Sequence, residues 1–71
     1  YLVNARLPVD DLAELTGVHL PDGDWDTVGG LLLALAGQVP QVGEPFEVEG
    51  LVLTAEQVQG RRVSRVRVAR R

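Results

Sequence analysis

The sequence predicts an α+β fold: two short helices packed on one face of a mainly antiparallel sheet of about four strands. Three observations carry this. Two segments repeat apolar residues at helical spacing, the last third alternates apolar and polar residues around two glycine-bearing turns, and no cysteine is present among the 71 residues. Without disulfides or a thiolate metal cluster, a chain this short must be held by side-chain packing alone. Only Tyr1, Trp25 and Phe46 are aromatic, so the predicted core is Leu and Val.

The first element is a short strand over residues 1–6, rich in β-formers and closed by Pro8. A helix follows in "VDDLAELTG": Val9, Leu12 and Leu15 form one stripe, Asp10 and Asp11 occupy the first turn, and Gly17 stops it. The second helix spans about residues 27–36, with Val28, Leu31, Leu32 and Leu35 as its buried face and Gly37 as a left-handed C-terminal cap.

A three-stranded meander completes the chain, turning at Glu49–Gly50 and again at Gln59–Gly60. Two-residue loops at both places pair Val48 with Leu51, Phe46 with Leu53, Leu53 with Val66 and Leu51 with Val68, all on one face. The opposite face then carries Glu47, Val52 and Arg67 in one row, Thr54 with Arg65, and Glu56 with Val63. Arginines therefore lie beside glutamates of neighbouring strands.

Charge is distributed unevenly. The net charge is −3, yet residues 61–71 hold six of the seven arginines and none of the ten acids. Arg61, Arg62, Arg65, Arg67, Arg70 and Arg71 could line a phosphate or anionic-lipid stripe. The acidic whole and the lack of aromatics among the arginines favour a salt-bridged strand face, so no nucleic acid partner is expected.

"PDGDWDTVGG" places Asp22, Asp24 and Asp26 at alternate positions, as a calcium loop does. The required glycine is replaced by Thr27 and the required glutamate by Leu33, which excludes an EF-hand. A weak, open Mg²⁺ or Ca²⁺ site at Asp22, Asp24 and Asp26 is one expectation. The structural alternative is that Asp26 or Thr27 caps the second helix. Gly29 and Gly30, in its first turn, suit either an anion on the backbone amides or close packing, and upstream acids favour packing. His19 is the only histidine and Ser64 the only serine, so no catalytic set can be assembled and no enzyme is expected. Leu33 and Val52, both off the predicted core face, are candidates for a partner surface.

The chain begins with Tyr and contains no Met, which reads as a fragment of a longer protein forming one domain over residues 1–71. Its longest apolar run, Leu31 to Ala36, is far short of the roughly 20 residues a membrane span needs, so a soluble piece is predicted.

In their order, "PVDDLAELTGVHLP", "DTVGG", the glycine–proline–glycine series Gly37, Pro40 and Gly43, and "GRRVSRVRV" resemble the CorC/HlyC transporter-associated domain. The likeness covers nearly the whole chain. It departs at Asn4-Ala5, where family members often have Asp-Gly.

The resemblance implies a fold similar to part of FAD-binding domains and a C-terminal position after a membrane-embedded domain and paired CBS domains. Such proteins are described as magnesium and cobalt efflux or hemolysin-like membrane proteins, and some sodium/proton antiporters carry the module too. The implied role is a non-catalytic cytosolic accessory module, on the cytoplasmic side of the cell membrane. Its expected partners are the CBS and transmembrane domains of the same polypeptide, with a homodimer as a further expectation and membrane contact only through the parent. No cofactor is implied beyond the weak cation. The alternative is a small-ligand module for a divalent cation or adenine nucleotide; an arm for anionic lipid, using Arg65 and Arg67, is a third class.

Overall fold

A computed structural model describes every residue of the chain except Asp22 and Asp24. Strand β1, Leu2–Asn4, is shorter than the sequence suggests because Asn4 turns the chain. The Asn4 side-chain oxygen accepts from the Arg6 N–H at 2.8 Å, and the Asn4 carbonyl accepts from the Leu7 N–H at 3.0 Å. Asparagine thus makes the same local turn that aspartate makes through its side-chain oxygen.

Helix α1, Val9–Thr16, begins at Pro8 without a side-chain cap and ends at Gly17, whose φ of 71° is left-handed. Its buried stripe is Val9, Leu12 and Thr16, not Leu15, which is 49% exposed. Thr16 replaces Leu15 inside because its hydroxyl donates to the Leu12 carbonyl at 2.9 Å and leaves no orphaned polar group. The helix has no basic residue in its last turn. Its C-terminal carbonyls are met from far along the chain instead, by the Arg70 guanidinium on Thr16 and the Tyr1 hydroxyl on Leu15.

Helix α2, Val28–Ala36, is capped by Thr27, whose hydroxyl oxygen accepts from the Gly30 N–H at 3.1 Å. Gly37 closes it, donating to the Leu33 carbonyl at 2.9 Å. Val28, Leu31 and Leu32 are fully buried. Leu35, expected in the core, lies in the last turn and is 36% exposed.

Strands β2, Pro45–Val48, β3, Leu51–Gln59, and β4, Arg62–Arg70, form an antiparallel sheet with β1 in the order β1-β4-β3-β2. The first hairpin matches the sequence reading, pairing Val48 with Leu51 and Phe46 with Leu53. Its turn holds Glu49 at φ 50° and Gly50 at φ 80°, the paired positive values a tight hairpin loop favours.

The second hairpin is shifted by two residues from expectation. It turns at Gly60–Arg61, so Gln59 pairs with Arg62, Leu53 with Val68, and Leu51 with Arg70. Glycine takes the first loop position rather than the second, at φ 63°. An irregularity between Ala55 and Val58 accommodates the local mismatch. A slip of two preserves parity, so Leu51, Leu53, Ala55, Val66 and Val68 are all buried, but the irregularity reverses the alternation beyond Ala55, and Val63, expected beside Glu56 on the outer face, lies in the core instead. The polar rows do change: Glu47 and Val52 align with Ala69, and Thr54 with Arg67.

Among the described residues the eight largest fully buried side chains are all Leu and Val, drawn from both helices and from β3 and β4. Burying each contributes about 1.5–3 kcal/mol relative to exposure. Trp25 and Phe46 pack against this core while partly buried. Both helices therefore cover one face of an α+β structure.

Candidate functional site

The first turn of α2 is locked to the loop after β1. Val28 N–H donates to the Leu7 carbonyl and Gly29 N–H to the Ala5 carbonyl, each at 2.9 Å. With Gly30 N–H on Thr27, the helix's leading amides are all occupied. The glycine pair is thus no anion nest. A Cβ at Gly29 would lie 2.9 Å from the Ala5 Cβ and 3.1 Å from its carbonyl oxygen, so glycine is required for this close approach. At Gly30 the nearest side chains are Thr27 and Trp25, which agrees with the packing reading.

Beside this contact lies an open groove of about 430 Å³. Ala5, Gly29, Gly30 and Val63 give it an apolar lining, Thr27 adds a hydroxyl, Leu33 forms one side, and Arg6 and Arg62 supply two guanidinium groups. Among the described residues no carboxylate belongs to its lining. Arg6 reaches it because Asn4 turns the chain, and Arg62 because β4 starts next to that turn.

The groove runs into the outer face of α2. The helix sequence VGGLLLALA contains no polar side chain. Leu33 is 37% exposed, and Ala34 and Leu35 are exposed with it. A helix apolar on all sides is normally enclosed. Here one side is enclosed and the other is not.

The arginines divide into groups. Arg67 makes a two-pronged contact with Glu56, at 2.9 and 3.1 Å, and Arg71 pairs with Glu47. The hydrogen bond and charge of Glu47 raise the pKa of the Arg71 guanidinium. Arg70 is spent on α1. Among the described residues no carboxylate lies within ion-pair distance of Arg6, Arg61, Arg62 or Arg65. The strand-face reading holds for Arg67 and Arg71, with partners displaced by the register shift.

Of the candidate metal ligands, Asp26 is exposed, and its backbone carbonyl accepts from the Val9 N–H at 2.9 Å. Asp22 and Asp24 lie outside the described residues. Among the described residues no group of three His, Asp or Glu side chains is placed to hold a metal. His19 is exposed, beside a shallow hollow near Gly17. Among the described residues, no helix is long and apolar enough to cross a membrane.

The sequence had flagged Leu33, and Arg62 only as one of the arginine stripe, but not Arg6; the two arginines are brought together only by the pairing of β1 with β4.

The CorC_HlyC family model, described as a transporter associated domain, matches residues 1–71. The chain belongs to the CorC_HlyC family. Among curated relatives of this CorC_HlyC domain, the UPF0053 protein Rv2366c of Mycobacterium tuberculosis is 49% identical over 57 residues, 79% of this chain and 13% of that protein. The magnesium and cobalt efflux protein CorC of Escherichia coli is 31% identical over 68 residues, covering 96% of this chain and 23% of CorC. The chain therefore spans less than a quarter of the length of either relative. A solved transporter associated domain from a Xylella fastidiosa hemolysin, in complex with Mg²⁺ and Mn²⁺, has a TM-score of 0.87 at 26% identity, covering 97% of this chain and 84% of that one. The α+β architecture of the CorC_HlyC domain is shared with that structure.

Proposed function

We propose that this CorC_HlyC domain is a non-catalytic accessory module of a membrane ion transporter, at the C-terminal, cytoplasmic end of a longer polypeptide. It modulates transport by docking on the CBS or membrane domains of that polypeptide. The observation that carries the reading is the uncovered apolar side of α2, with Leu33 and Leu35 exposed on a helix that has no polar residue. Kinship with the efflux protein CorC, of which this chain covers 23%, supports the transporter context.

The test is Leu33→Glu in the full-length polypeptide. Because Leu33 is already exposed, fold stability should change by no more than about 0.5 kcal/mol. Hydrogen exchange in residues 28–36 should accelerate while the sheet amides stay protected, and transport should change with it. Unchanged exchange and unchanged transport would remove the reading.

The Xylella fastidiosa relative solved with Mg²⁺ and Mn²⁺ favours a second reading, a divalent-cation site at Asp22, Asp24 and Asp26. Calorimetric titration with Mg²⁺ and Mn²⁺ should then show sub-millimolar binding that Asp24→Asn abolishes. Binding indifferent to that substitution would rule it out.

A further inference from the structure

Resting on the docking reading, we infer that the segment covering α2 is acidic: it belongs to the same polypeptide, outside residues 1–71, and seats carboxylates on Arg6 and Arg62. Leu33 belongs both to the apolar side of α2 and to the groove. Any partner that buries Leu33 therefore also covers the groove beside it. Doing so removes water from two guanidinium groups, and among the described residues neither has a carboxylate within ion-pair distance. Stranding unpaired charges in an interface is strongly unfavourable, whereas pairing them with carboxylates offsets the desolvation.

Among the described residues the groove holds no counter-charge of its own: no acid belongs to its lining, and the neighbouring helix amides are donors already bound to Leu7, Ala5 and Thr27. Complementarity thus selects a segment with one or two carboxylates adjoining leucine-like side chains. A planar guanidinium fork suits a carboxylate in two-pronged contact. Polypeptide is available for the role, since matched relatives such as CorC have more than three quarters of their length outside the aligned region.

The deciding measurement is hydrogen exchange of residues 28–36 in the full-length polypeptide, with the β3 and β4 amides as an internal control of folding. Arg6→Glu with Arg62→Glu should speed exchange in α2 at least about tenfold, the size expected for losing close charge pairs across an interface. Arg6→Lys with Arg62→Lys should retain most of the protection. In the unaltered protein, raising salt from about 0.05 to about 0.5 M should weaken protection of α2 selectively.

If Leu33→Glu loosens α2 but the reversed pair does not, docking stands and the acidic segment is overturned. If neither loosens it, both readings fall. Should the reversed pair also expose the β3 and β4 amides, the salt series and the lysine pair decide, and insensitivity to salt would overturn the inference. Protection that arises only on adding anionic phosphatidylserine vesicles would overturn it in favour of lipid.

Discussion

The two helices, eight and nine residues long, set their outer sides to opposite uses. Helix α1 buries Val9, Leu12 and Thr16 and turns Asp10, Asp11 and Glu14 to water, with Leu15 as a single exposed leucine among them. Helix α2 buries Val28, Leu31 and Leu32 and turns Leu33 and Leu35 outward. Inner sides of similar composition show that both helices serve the same core. Only the outer sides differ, and solvation explains the acids of α1 while leaving the leucines of α2 unexplained by the isolated domain. The contrast separates what folds the chain from what the folded chain offers a partner.

The inner sides should respond alike and strongly. Leu12→Ala and Leu32→Ala each empty a fully buried site, and each should cost about 2–5 kcal/mol in the urea unfolding of the 71-residue chain. Such a loss approaches the whole stability of many small domains. A cost at α2 well below that at α1 would mean that α2 depends on its partner for cohesion, which would break the symmetry of the inner sides.

A smaller effect belongs to α2 alone. Gly29→Ala places a methyl group 2.9 Å from the Ala5 Cβ, against backbone that is itself hydrogen-bonded to Gly29. Overpacking should outweigh the helical preference for alanine, with a net destabilisation of about 1–3 kcal/mol. A second change, Ala5→Gly, should relieve part of it. No rescue would indicate that the close approach is unimportant.

Sequence reading located both helices because their ends are marked chemically: Thr27 caps one start, and Gly17 and Gly37 close both ends. It misplaced one residue on each helix, for different reasons. Leu15 lost its inner place to Thr16, whose hydroxyl is satisfied by its own helix. Leu35 falls in a last turn where contact with the core has run out.

The second hairpin misled because glycine serves either loop position, and only the assembled sheet selects Gly60 as the first. Parity kept Leu51, Leu53, Val66 and Val68 in the core, the irregularity in β3 brought in Val63, which had been assigned to the outer face, and the ion pairs moved to Glu56 with Arg67 and Glu47 with Arg71. For the candidate site, Leu33 was legible by elimination. The meeting of Arg62, one of the arginine stripe, with Arg6 was not, because it depends on a turn at Asn4 and on strand order.

The helix starts give the finest comparison. Thr27 stabilises α2 through a hydrogen bond to Gly30, whereas α1 has no side-chain cap and begins with Asp10 and Asp11 in its first turn. Thr27→Ala should cost about 1 kcal/mol. Asp10→Asn and Asp11→Asn should cost about 0.3–1 kcal/mol each at low salt, through the helix dipole. Salt distinguishes the two mechanisms. At about 0.5 M the aspartate effects should largely vanish, because the exposed charges are screened over a few ångströms, while the threonine effect persists. Urea midpoints of the three variants at both salt concentrations test this directly. A salt-independent loss at Asp10 would show that α1 starts through a contact rather than a field, and the two helices would then differ only in the sides they turn outward.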